Sequence, residues 1–149
     1  MKIEIPVEGL LDVPRTLQRF RLWGEDPANR LSPGVFRRAV KAGRRWRGYE
    51  VRWTGSVEVP RLLVSVPRER SARVLEAAVD EVTRVCGLGL DLEGFYGVAA
   101  QDPVLGHLVP RLRGLRPTLA PQPFEMLVGS VCAQQVNLPF AFAVKARLV

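Results

Sequence analysis

A chain of 149 residues with 47% apolar side chains suits one compact domain or two small ones and has enough apolar surface to build a core. Its 22 basic side chains against 15 acidic ones leave a net charge of +7, which favours polyanionic partners, nucleic acid first among them. The two cysteines exclude a disulfide framework, no apolar run reaches membrane-spanning length, and no signal peptide is visible at the start, so a reduced, cytoplasmic protein is expected.

Lys2 to Glu8 alternates, with Ile3, Ile5 and Val7 on one face, and reads as a short strand. Asp12 is placed to cap a helix from Val13 to Trp23, with Pro14 in its first turn and Val13, Leu17 and Phe20 on one side. Gly24 to Asn29 is a loop by composition. From Val35 the period becomes two. Val35 to Ala42, Arg47 to Thr54 and Leu62 to Val66 are expected as strands, and Pro60 marks an edge or a late strand start.

Pro67 to Leu88 is the clearest helix of the sequence, with Ala72, Leu75, Val79, Val82 and Cys86 as its apolar stripe and Gly87 as its stop. These elements predict an α+β domain over residues 1–91, a small antiparallel sheet in the order β-α-β-β-β-α with helices on one face. The strand signal then ceases, and residues 92–149 read as an all-helical segment. Leu92 to Gln101 is one helix. Asp102 to Leu112 is another, capped by Asp102 and striped by Leu105, Leu108, Val109 and Leu112.

The last stretch reads as two helices joined by a tight corner at Gln134-Gln135-Val136-Asn137. Pro123 fits a first helical position, with Glu125 near the positive end of the dipole. Phe124, Leu127, Val128 and Val131 make an apolar stripe that Gln135 closes. Asn137 is the expected cap of the second helix, which is apolar nearly all round apart from Lys145 and Arg147 and is therefore expected to be buried.

Three candidate sites follow. The two glutamines of the corner either end an amphipathic helix in water or present paired donors and acceptors to a ligand. Residues 35–53 carry Arg37, Arg38, Lys41, Arg44, Arg45, Arg47 and Arg52 against the single acid Glu50, with Trp46, Tyr49 and Trp53 interleaved. That pattern is either a solvated basic face over an aromatic core or a backbone-tracking nucleic-acid surface, with Arg44, Arg45 and Arg47 as the backbone contacts. His107, the one histidine, has no Cys, Asp or Glu at metal spacing, so no metal site is expected; nor is there a phosphate loop, a nucleophile triad or a cofactor motif. Cys86 and Cys132 read as free thiols in apolar settings.

The run Pro123 to Asn137, PFEMLVGSVCAQQVN, resembles the corner segment of DNA glycosylases of the helix-hairpin-helix superfamily, alkyladenine (3-methyladenine DNA glycosylase II) type, with Ala133 and Asn137 where the family has glycine and serine. Asp102-Pro103-Val104-Leu105 and Gly114-Leu115-Arg116-Pro117 sit at the family's spacing. The resemblance implies the appended α+β domain and the first helices of the glycosylase domain. It also implies removal of alkylated purines from double-stranded DNA by base flipping, with Gln135 as the wedge, Gln134 as a minor-groove contact and Asn137 beside them. The family's helix-hairpin-helix and its catalytic aspartate have no counterpart here, so no catalytic residue is assigned. Glu125 and Asp102 are given structural roles, as a dipole charge and a cap. A chain inactive by itself is expected, completed by a second polypeptide or paired as a homodimer. The alternatives are a non-enzymatic basic nucleic-acid-binding module and an interaction subunit whose terminal helices dock a partner.

Overall fold

A computed structural model describes residues 1–24 and 26–148. The α+β class is as expected. A five-stranded antiparallel sheet runs in the order β1-β5-β4-β3-β2, from β1 (Lys2–Pro6), β2 (Arg30–Ser32), β3 (Val35–Ala42), β4 (Arg45–Gly55) and β5 (Pro60–Ser65). The helices are α1 (Val13–Leu17), α2 (Arg19–Leu22), α3 (Ala72–Val85), α4 (Leu92–Ala99), α5 (Leu105–Leu108), α6 (Pro123–Cys132) and α7 (Leu138–Ala146), with a 3-10 turn at Pro110–Leu112.

The sheet buries one face. Ile5, Phe36, Val40, Tyr49, Val51, Leu62 and Val64 meet Leu11, Val13 and Leu17 from the α1 region and Leu75, Ala78, Val82 and Val85 from α3. The opposite face, with Arg37, Lys41, Arg52 and Arg61, is open to solvent.

Several expectations change. Strand β2 pairs Arg30 with Arg37 and Ser32 with Val35 around a two-residue turn, and at three residues it is too short to show a period. Pro60 begins β5, which lies between β1 and β4, so it marks a late start and not an edge. The expected helix from Val13 to Trp23 is two pieces, because bonding tightens to i→i−3 at Gln18, whose N–H donates to the Arg15 carbonyl. Helix α3 begins at Ala72 because Glu69 takes the Arg70 and Ser71 amides, at 2.8 and 3.0 Å, into a turn of their own. Its buried stripe is Val74, Leu75, Ala78, Glu81, Val82 and Val85, rotated from the expected one, and Ala72 is exposed.

Gly87 does stop α3. At φ +60° it lets its own N–H reach the Arg84 carbonyl (3.0 Å) and the Leu88 N–H reach that of Thr83 (2.9 Å), a Schellman closure. Pro110 breaks the expected helix from Asp102 to Leu112, and Asp102 accepts from the Val104 and Leu105 amides in a turn before α5. Helix α7 is not buried: only Ala141 is, while Phe140 is 56% exposed.

Two arginines tie these layers together. Arg38, on the buried face of β3, donates through Nε to Glu81 of α3 at 2.6 Å and through Nη2 to Glu125 of α6 at 2.5 Å, and also reaches Asn29. Tyr49 donates to the same Glu81 oxygen at 3.1 Å. Burial alone would lower the Arg38 pKa, yet the two carboxylates raise it, and burial beside Glu81 raises that of Tyr49. Arg38 therefore sits inside the molecule and not on a solvated basic face. Arg116 is 4% exposed and spends its guanidinium on backbone carbonyls, those of Leu10 (2.8 Å), Gly87 (3.0 Å), Leu90 (2.8 Å) and Glu8 (3.3 Å). Burial pushes the neighbouring Cys86 thiol up to about 12, against the pull of the Arg116 charge, which leaves it inert.

Arg38→Met, which strands two carboxylates, is expected to cost about 3–5 kcal/mol in urea denaturation. Arg38→Met with Glu81→Gln and Glu125→Gln is expected to recover part of that. Burial alone would raise the Glu125 pKa, but the bonds and charge of Arg38 and the charge of Lys145 bring it below the usual 4.5. Its pairing thus stabilises the fold above that value and is lost as pH falls through the folded-state pKa. Unfolding free energy should drop on acidification below 4.5, less steeply in Glu125→Gln. Arg116→Lys leaves carbonyls unanswered, and a loss of about 1–3 kcal/mol is expected.

Candidate nucleic-acid interface

Helix α6 starts where Pro123 needs no hydrogen-bond donor and ends at Ala133, whose N–H is shared between the Gly129 and Ser130 carbonyls (3.1 and 3.2 Å). Gln134 continues with one further bond to the Val131 carbonyl, at 3.3 Å. Gln135 then turns the chain at φ +56°, a left-handed conformation that a side chain with a Cβ enters at a cost of roughly 1–2 kcal/mol. Asn137 is extended and its side chain accepts the Phe140 amide at 3.0 Å, capping α7 as its sequence predicts.

Gln134, Gln135 and Asn137 are all exposed, and neither glutamine side chain makes a hydrogen bond among the described residues. Asn137 is different, because its oxygen is committed to the cap and only its amide NH₂ is free for a ligand.

The corner is held from a distance. Glu125, one turn into α6, binds Arg38, and Lys145 near the end of α7 reaches Asp26 at 3.0 Å and Glu125 at 3.9 Å. Asp26 is itself fixed by the Ala28 amide and the Asn29 side chain. Seven residues of α6 follow Glu125 before the turn, so the corner projects roughly 10 Å beyond its ionic anchor. Glu125 thus does more than answer the helix dipole. A cleft of ≈ 450 Å³ between the two helices, α2 and residues 118–121 has these charges as one wall and Met126, Leu138 and Phe142 as another.

The basic candidates lie elsewhere. Gly43 and Arg44 form the two-residue β3–β4 turn, with Gly43 at φ +64° and Ala42 opposite Arg45. Arg44 and Arg45 are exposed and carry no ion pair among the described residues. Arg47 donates to Glu69 at 2.9 Å, so one of the three is already partnered. Among the described residues no hydrogen bond joins this turn to the α6–α7 corner. His107 is exposed, and no group of three metal-ligating side chains occurs among the described residues. The positioning residues Asp26, Asn29, Glu81 and Lys145 were not singled out by the sequence, although an acid in the apolar phase of α3 was a signal for Glu81.

Exposed apolar side chains follow one stripe of α6: Phe124 is 74%, Leu127 59% and Val131 58% exposed. A monomer seldom leaves so contiguous a patch to water.

No family model matches the chain. Over 59 residues, 40% of its length, it is 41% identical to the DNA-3-methyladenine glycosylase of Bacillus subtilis (strain 168), and the match takes in 20% of that protein. Its fold is similar to that of the 3-methyladenine DNA-glycosylase from Archaeoglobus fulgidus, with a TM-score of 0.79 at 21% identity, covering 99% of this chain and 49% of that one. The chain thus spans about half the length of the solved structure and a fifth of the curated relative. In sequence over part of its length, and in fold over nearly all of it, the chain resembles the 3-methyladenine DNA glycosylases.

Proposed function

We propose that this chain is the duplex-reading portion of a base-excision repair DNA N-glycosylase for alkylated purines, with the α6–α7 corner entering the DNA beside a flipped nucleotide. The observation that carries this reading is the corner itself, two exposed glutamines on a fixed left-handed turn between anchored helices. Gln135 fills the space the base vacates, and Gln134 meets the minor-groove edge with its donor and acceptor. The curated and solved relatives are named for 3-methyladenine in DNA, and the reading extends that substrate class to this chain.

Cleavage of the glycosidic bond needs a carboxylate facing an oxocarbenium-like sugar. The aspartates that begin helices or turns here are occupied: Asp12 with the Arg15 amide, Asp91 with that of Gly94, Asp102 with those of Val104 and Leu105, and Asp26 with Lys145. In this reading the acid comes from further helical sequence, in the same or a second polypeptide, which also covers the apolar surface of α6 at Leu127 and Val131. By itself the chain binds and does not cleave.

A second reading rests on Arg44 and Arg45, exposed cations at a hairpin tip with no acidic partner among the described residues, as the phosphate contacts of a non-enzymatic binding module.

Fluorescence anisotropy with a short duplex carrying a tetrahydrofuran abasic site separates the two. Gln134→Ala with Gln135→Ala is expected to weaken binding about tenfold and to erase the preference for the abasic duplex over an intact one. Arg44→Glu with Arg45→Glu should weaken both duplexes alike and modestly. The reverse pattern would favour the binding module. On methylated DNA this chain should release no base, and released 3-methyladenine would refute the proposed lack of cleavage.

A further inference from the structure

Strand β3 is eight residues long, but β2 covers only its first three, Val35 to Arg37. Both turns flanking β3 have two residues, Pro33-Gly34 and Gly43-Arg44, with Ser32–Val35 and Ala42–Arg45 as their closing pairs. A two-residue hairpin closes on a pair that exchanges both backbone bonds, and bonding then alternates along the strand. The odd residues of β3 therefore point their N–H and C=O groups toward β2, and the even residues toward β4. Beyond the end of β2, Ala39 and Lys41 present theirs to open space. Neither makes a backbone bond outside the β3–β4 ladder among the described residues.

That bare edge opens on a groove of ≈ 1020 Å³ whose walls include Ala39, Trp46, Phe124, Val128 and Leu148. Trp46 is 56%, Phe124 74% and Leu148 66% exposed. Arg30 and Arg37 line the same groove, as does Glu125 with its partners Arg38 and Lys145, and Lys41, Arg44 and Arg45 follow Ala39 toward the tip of the β3–β4 hairpin. Arg37 is matched by Glu50 at 2.7 Å, while Arg30, Lys41, Arg44 and Arg45 have no acidic partner among the described residues.

We propose that the β3 edge and this groove take up an extended peptide of alternating acidic and apolar residues, which adds to the sheet as a further strand. Backbone bonds to Ala39 and Lys41 supply the pairing, and alternate side chains of the guest face opposite sides of the sheet. Those facing the helices meet Phe124, Val128 and Leu148, which want apolar groups. Those facing the open side of the sheet meet Lys41 and its basic neighbours, which want carboxylates. A second copy of this chain is the wrong guest, because edge-to-edge pairing would set Arg37 and Lys41 against their own counterparts in a protein of net charge +7. The surface is separate from the α6–α7 corner, and the inference does not depend on how that corner is used.

The test uses the full chain and a capped synthetic peptide, Glu-Val-Glu-Val-Glu-Val-Glu, followed by amide NMR and hydrogen exchange. Binding is expected, with exchange at Ala39 and Lys41 slowed about tenfold or more, as pairing of an edge requires. A peptide of the same composition in blocks, four Glu then three Val, is expected to bind at least about tenfold more weakly. Ala39→Pro should abolish the slowing, and Lys41→Glu, which leaves the backbone alone, should weaken binding with the fold unchanged by circular dichroism. Equal binding of the block peptide, or shifts that spare Ala39 and Lys41, would overturn the proposal. Displacement of the bound peptide by oligo(dT) would overturn it too, and would assign the groove to single-stranded nucleic acid.

Discussion

The guanidinium of Arg38 is the point at which the sheet, α3 and α6 become one object. It comes from the buried side of β3 and finds Glu81 on α3 and Glu125 on α6. A buried cation between two carboxylates is seldom worth more than an apolar cluster of the same volume, but it is far more demanding about position. What it secures here is registry. With Glu125 fixed against β3, and Lys145 fixed against Asp26 and Glu125, both arms of the α6–α7 hairpin are set against the sheet, and the direction in which the corner points is set with them. Arg116 does the same for the loops, gathering carbonyls from segments before α1 and after α3.

How much of this could be read from the chain depended on the range of the interaction. The Asp12 and Asn137 caps and the Gly87 stop are local, each decided by a few neighbouring residues, and their positions are legible in the sequence. The α3 stripe was read out of phase because Glu81 stands where an apolar residue is expected, and its reason lies 43 residues away in Arg38. Strand β2 is too brief for any period. Helix α7 was expected to be buried since it is apolar all round, but burial is a relation between two surfaces, and a sequence shows only one of them. The corner's place is legible in the residues, whereas its role comes from the resemblance and its left-handed Gln135 has no signature in composition.

The exposed faces of α6 and α7 and the bare edge of β3 are unlike in kind. The first is made of exposed apolar side chains on a helical hairpin whose fold is shared with a structure twice as long. The second is narrow, with backbone groups and flanking cations that impose direction and alternation on whatever lies there. One surface answers to shape and area, the other to hydrogen-bond pattern and charge.

The pairing of β1 with β5 has a kinetic consequence. Residues 2–6 lie beside residues 61–65, so strands far apart in sequence are partners. During synthesis the β3–β4 hairpin, closed by its two-residue turn, can form early, whereas β1 must wait, unpaired, until some sixty further residues have emerged. For that interval its Ile3, Ile5 and Val7 are an unprotected apolar strand, and the charges that alternate with them, Lys2, Glu4 and Glu8, act as gatekeepers against association with other nascent chains.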